Sequence, residues 1–217
     1  MALSHPPQDL PLRIAEAFAL VALGRLDDVD RVVNEGMALA SGMTSRVYLL
    51  FGTAVELRLH GYEDASTKTT GRALEWLHGR PPGEFSTREA RATLAWALCV
   101  AERWDEARRV YRQLARESPG EIRWLGSLGF IAARRGDRAE ALRVSEQLRV
   151  AQGAYLLGQN TRWRAGIAAW LGEKDQAVEL LRAAFAEGVW HDRAVHQDLD
   201  LAPLRGYPPF EELIRAR

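Results

Sequence analysis

Five turn signals punctuate the chain at nearly even distances, and this regularity limits the possible folds more than any single motif. They are Gly24-Arg25-Leu26-Asp27, Gly61-Tyr62-Glu63-Asp64, Glu102-Arg103-Trp104-Asp105, Gly136-Asp137-Arg138 and Gly172-Glu173-Lys174-Asp175, in steps of 37, 41, 34 and 36 residues. Spacing of this order is the mark of stacked supersecondary units, and a period of about 34 residues belongs to helix-turn-helix repeats. Apolar residues flank each turn at three- and four-residue steps, as in Leu94, Leu98 and Ala101 before the third turn and Ala107, Val110, Tyr111 and Leu114 after it. That spacing predicts an amphipathic helix on either side. Glycine accepts the left-handed conformation that ends a helix, and an aspartate can cap the amides that open the next. Turns this short make the two helices antiparallel.

The pattern predicts an all-α solenoid of about five antiparallel helix pairs, at 11–40, 44–79, 86–118, 121–151 and 155–188, preceded by a tail over 1–10. Arg80-Pro81-Pro82-Gly83 and Ser118-Pro119-Gly120 fall between pairs, where proline removes an amide donor and stops a helix. Residues 189–217 read as a capping segment with a short final helix after Pro208-Pro209. A terminal repeat exposes an apolar face unless something covers it. Trp190, Leu199, Leu201, Leu204, Tyr207, Phe210 and Leu213 are the side chains expected to lie against the second helix of the fifth pair.

Composition narrows the function classes. With 47% hydrophobic residues over 217 positions the chain can bury a substantial core. Basic and acidic residues balance at 29 each, so the positive field that non-specific nucleic-acid binding needs is missing. Ala17 to Leu23 and Val47 to Val55, the longest apolar stretches, fall well short of the roughly 20 residues of a membrane-spanning helix. Met1 to Gln8 has no basic residue ahead of an apolar run, the pattern of a chain without a secretory leader. Cys99 is the one cysteine, which excludes an internal disulfide and fits a reducing cytoplasm. Lys68 and Lys174 are the two lysines among 29 basic residues, a bias typical of GC-rich bacterial genes.

The fourth pair resembles the tetratricopeptide repeat family. Leu125, Leu128 and Gly129 take the family's first-helix places, Ala132 stands where an aromatic is usual, and Gly136-Asp137-Arg138-Ala139-Glu140-Ala141-Leu142 is close to the family turn. The third pair supplies Leu94-Ala95, Trp104-Asp105-Glu106-Ala107, Tyr111 and Pro119, and the fifth Ala165, Gly172, Ala177 and Leu181. The first two pairs depart from the pattern: Val29 and Ser66 stand where the second-helix alanine belongs, and Thr67, Thr69, Thr70 and Gly71 are poor helix formers. The resemblance implies a right-handed solenoid that binds proteins. Phe185-Ala186-Glu187-Gly188, Asp198 to Gly206 and Phe210-Glu211-Glu212-Leu213 also resemble the closing segment of repeat domains in bacterial kinases, cyclases and transcriptional regulators. That likeness implies a regulatory role, in a fragment or a stand-alone relative.

No phosphate-cradling glycine loop, dinucleotide fingerprint or nucleophile elbow is present. Cys99 lies between Leu98 and Val100, where burial would silence its thiol. His191 and His196, with Asp192 and Asp198, are the histidines near enough to carboxylates to suggest a metal or small-molecule site, yet their spacing matches no metal-binding helix motif. The chain is therefore expected to be no enzyme and to need neither metal nor cofactor. Trp104 and Trp124 are expected to fill gaps between helices.

In the resembling family the first helices line a concave groove. Helical phase points Tyr48, Phe51, Arg58, Trp96, Arg123, Phe130, Arg134, Arg162 and Trp170 that way, and aromatics mixed with arginines suit a groove for a protein or peptide partner. Ala92 and Trp96 replace the lysine and asparagine of chaperone-tail binders, which disfavours that ligand. Ile14, Phe18 and Val21 leave the first helix uncapped unless residues 1–10 cover it, so a homodimer across that end is the alternative way to hide it.

Overall fold

The computed structural model describes residues 10–151, 156–191, 195 and 198–215, and among them the chain is all-α. The helices are α1 (Leu10–Ala22), α2 (Leu26–Leu39), α3 (Met43–Leu59), α4 (Glu63–His78), α5 (Arg88–Val100), α6 (Trp104–Glu117), α7 (Ile122–Arg134), α8 (Arg138–Val150), α9 (Gln159–Trp170), α10 (Lys174–Ala186) and α11 (Pro208–Ile214), with 3₁₀ turns at Pro82–Phe85 and Leu199–Leu204. None is long and apolar enough to cross a membrane. The chain forms two compact units, Met1–Arg103 and Trp104–Arg217, so the division falls between α5 and α6.

One closing motif recurs at all five turns. The amides of Arg25, Tyr62, Arg103, Asp137 and Glu173 reach back five residues to the carbonyls of Leu20, Leu57, Leu98, Ala132 and Ala168, at 2.8 to 3.0 Å. The residue before each is left-handed, with φ of 70°, 80°, 58°, 76° and 83° at Gly24, Gly61, Glu102, Gly136 and Gly172. This is the Schellman arrangement, which satisfies carbonyls that the helix end would otherwise orphan. The repeat is thus written into the backbone as well as the sequence.

Aspartate plays less of a capping part than expected. Asp137 does accept a hydrogen bond from the Glu140 amide, at 3.2 Å. At α2, α4 and α10, however, the N-cap residues are Arg25, Tyr62 and Glu173, none with a side-chain cap bond, and the acids sit inside the first turn. There they act on the positive end of the helix dipole rather than on a particular amide.

Glu102 is the exception among the closures, a side-chain-bearing residue held at φ 58°. That conformation costs an L-residue about 1 kcal/mol relative to glycine. Its ion pair with Arg58, 3.6 Å apart and half exposed, returns at most a few tenths of that, as exposed pairs do (about 0.5 kcal/mol). Glu102→Gly should therefore raise stability by about 0.5 kcal/mol. A melting temperature that stays level or falls would contradict this account of the turn.

In the first unit α3 is central, packed on α1, α2, α4 and α5. Helix α4 runs unbroken through Ser66, Thr67, Thr69, Thr70 and Gly71 despite their poor propensity. Burial explains it: Ser66, Thr69 and Thr70 are buried, and the Ser66 hydroxyl donates to the Ala54 carbonyl of α3 at 2.7 Å. Small side chains let the two helices approach, and tertiary packing outweighs a propensity deficit of a few tenths of a kcal/mol per residue. Arg72 ties α4 to α2 through Asp30 at 2.6 Å and Asn34 at 2.8 Å.

In the second unit α7 packs on α6, α8 and α9, and α9 on α8 and α10. Leu201, Leu204, Phe210 and Ile214 of the closing segment join Ala165, Ala168, Ala169, Ala177, Val178 and Leu181 in one cluster. The segment thus covers α9 and α10 together, not α10 alone. Trp190 takes no part and is 81% exposed, contrary to the expectation that it would help close the end. It follows Gly188, whose φ of 113° turns the chain after α10.

Candidate functional site

Each unit carries part of the residue set that helical phase singled out. In the first, Tyr48 on α3 is 49% exposed. Its ring stacks on Trp96 of α5 with centroids 6.0 Å apart and 28° between planes, and tilts against Phe18 of α1 at 6.4 Å. Phe51, one turn along α3, is fully buried and meets Trp96 edge-on at 6.5 Å, so it supports the surface from beneath instead of lining it. Arg58 is engaged within the fold, donating to the Val100 carbonyl at 3.4 Å besides pairing with Glu102.

In the second unit α7 brings Phe130 and Arg134 to one face, four residues apart. The Phe130 ring is edge-on to Trp104, the first residue of α6, at 6.1 Å and to Trp170, the last residue of α9, at 6.3 Å. Above this row the Arg134 guanidinium lies over both indoles, 4.8 Å from the Trp104 centroid and 3.9 Å from that of Trp170. Arg134 and both tryptophans are half-buried, and Phe130 is buried. Cation–π contact of this kind is worth about 0.5 to 2 kcal/mol depending on desolvation. Here it holds the guanidinium against the two indoles.

The two remaining candidates, Arg123 and Arg162, make other contacts. Arg123 is exposed and lies 4.2 Å over Trp124, which is 1% exposed and packs on Tyr111 at 6.1 Å. Arg162 on α9 is ion-paired with Asp198 and stands 3.8 Å from Asp200. Burial pushes the Asp200 carboxyl above its ordinary range, and Arg162 opposes the shift. The Asp198 side chain also accepts the Asp200 amide at 2.9 Å, opening the 3₁₀ turn, while the Trp170 indole N–H donates to the Leu199 carbonyl at 3.2 Å.

Two parts of this arrangement escape a reading by helical phase. Trp104, assigned to packing, also carries Arg134. Asp198 and Asp200 reach Arg162 from beyond α10, although their alternation with Leu199 and Leu201 is visible in the sequence. His191 stacks on Phe185 with centroids 4.9 Å apart; Asp192 and His196 lie outside the described residues. Among the described residues no three histidine, cysteine or carboxylate side chains come together to hold a metal ion. Carboxylates on the outer helix faces sit in ion pairs such as Glu140 with Arg143 at 2.7 Å. The hydrogen bond from Arg143 holds the Glu140 carboxyl below its ordinary range.

No family model matches the sequence, and no curated protein matches it. Among solved structures the chain is similar to YrrB, described as a TPR protein with an unusual peptide-binding site, over 87% of this chain and 90% of that one, at 15% identity and a TM-score of 0.38. A likeness of that size carries no argument. The assignment as all-α paired helices rests on the helices and their five matching turns.

Proposed function

We propose that this chain is a protein-interaction module, and that its second unit takes a segment of a partner protein on the face formed by Trp104, Phe130, Arg134 and Trp170. The observation that carries the reading is the Arg134 guanidinium held over two half-exposed indoles. Tryptophan and arginine are the side chains over-represented in binding hot spots, since both bury large planar surfaces and lose little freedom on doing so. Holding Arg134 in place beforehand lowers the ordering cost that a flexible arginine would incur on binding. Tyr48 and Trp96 make a second aromatic pair in the first unit, and the guanidinium held over both indoles makes the face of the second unit the stronger candidate.

The test is site-specific photocrosslinking in the source cell, with a photoreactive side chain at exposed position 135, beside Arg134, and, as control, at position 143 on the outer face of α8. A defined adduct from position 135 alone is the expected result. Its loss on Trp104→Ala should accompany a fall in affinity of about 30-fold, the usual hot-spot effect. Equal adducts from both positions, or none from position 135, would sink the proposal.

A further inference from the structure

The second unit treats the arginines of two of its helices differently. On α8, Arg138 is ion-paired with Glu173, Arg143 with Glu140 at 2.7 Å and Arg149 with Glu146 at 2.6 Å. Helix α6 carries Arg108, Arg109, Arg112 and Arg116, and among the described residues none of these four makes a hydrogen bond or an ion pair. The acids of the same helix are used elsewhere: Asp105 is paired with Arg135, Glu117 accepts from Gln113 at 3.1 Å, and Glu106 is engaged as well. Arg109, Arg112 and Arg116 are exposed and Arg108 is half-buried.

Helical geometry sets the four within a sector of about 100°, away from the buried Ala107, Tyr111 and Leu114, and spreads them over about 12 Å of axis. Arg108, Arg112 and Arg116 follow one another at four-residue steps, where like charges repel unless counter-charges meet them. The helix dipole favours a cation in the last turn, which accounts for Arg116 but not for the three before it. The field of the row extends to α8: the Glu140 carboxyl, lowered first by its hydrogen bond with Arg143, is lowered further by Arg108 and Arg112.

We propose that this face of α6 is a second interaction surface, and that it takes an acidic segment of a partner protein with carboxylates spaced by about one helical turn. The surface is additional to the aromatic face and stands without it. Arginine presents a planar donor fork that matches a carboxylate, and the resulting hydrogen bonds are charge-assisted. The shortness of the row favours a protein segment over nucleic acid. The second unit holds 18 basic and 16 acidic residues, so it lacks the broad positive field that draws a long polyanion. Two turns of an acidic helix, by contrast, cover the row completely.

Fluorescence anisotropy on the full chain supplies the test, with a labelled alanine-based helical peptide bearing three glutamates at four-residue steps and its glutamine counterpart. The glutamate peptide should bind about tenfold more tightly than the glutamine one, and less tightly as salt rises. Arg109→Gln combined with Arg112→Gln should cancel that advantage. Both positions are exposed, so the fold should persist, which circular dichroism checks. Arg149→Gln, at an ion-paired arginine of α8, should leave binding unchanged. Equal binding of the two peptides, or of the glutamate peptide to the wild-type and doubly substituted chains, would overturn the proposal and leave a solvated basic face. Tighter binding of oligothymidylate or of phosphatidylserine vesicles, lost in the same double variant, would overturn the protein assignment in favour of nucleic acid or a membrane surface.

Discussion

Gly126→Ala should destabilise the second unit by about 2 kcal/mol, although alanine favours a helix by about 1 kcal/mol over glycine. The reason lies in the neighbour. A Cβ at position 126 would stand 2.2, 2.4 and 2.6 Å from three carbons of the Trp163 indole, where relaxed carbon contacts need about 3.5 to 4 Å. The ring cannot fold away as the end of a flexible chain could, and it is packed against the cluster formed by α7, α8 and α9. Overpacking of this sort costs about 1 to 3 kcal/mol, and so severe an overlap belongs at or above the top of that range. The sign should reverse once the ring is gone: in a Trp163→Ala background, Gly126→Ala should gain up to about 1 kcal/mol from propensity alone. Urea unfolding of the four chains decides the matter. A wild-type background in which alanine stabilises would show that the approach of α7 to α9 is looser than described.

Phe210→Ala should be the costliest single truncation in the closing segment, at about 3 to 5 kcal/mol. Phe210 is 2% exposed and joins Leu201, Leu204 and Ile214 to α9 and α10. Its helix, α11, has seven residues, too few to persist in water without tertiary contacts, so the ring's packing is what holds the element in place. The expected signature is a lowered melting temperature together with new proteolytic cleavage within 198–215. Trp190→Ala supplies the contrast: a larger ring, yet so exposed that its removal should stay within about 0.5 kcal/mol. Equal effects from the two substitutions would refute the account of how this end is covered.

The same contrast marks where sequence reading succeeds and fails. Trp190 and Phe210 carry the same kind of apolar side chain in the same closing segment, and nothing local distinguishes the one that packs from the one that does not. Phe51 and Tyr48 behave alike: helical phase sends both toward one side of α3, but it reports direction and not depth, and the structure buries one while exposing the other. Arg162 was legible as a cation on the inner side of α9. Its partners were not, because Asp198 and Asp200 arrive after the whole of α10 has intervened. The Ser66–Gly71 stretch errs in the other direction, since intrinsic propensity argues against a helix that contact with α3 then stabilises.

What the sequence by itself determined was the alternation of helix and turn and its period. These depend on chemistry within a few residues: a glycine that can turn left-handed, acids at the following helix start, and apolar residues at steps of three and four. Even the third closure was marked by its surroundings, though Glu102 occupies the place of glycine. Tertiary structure alone decided which of the outlined side chains meet. The Trp104–Phe130–Trp170 row under Arg134 draws on three helices, and the closing segment claims Arg162 for itself, because contacts between elements depend on distances across the fold that no local pattern encodes.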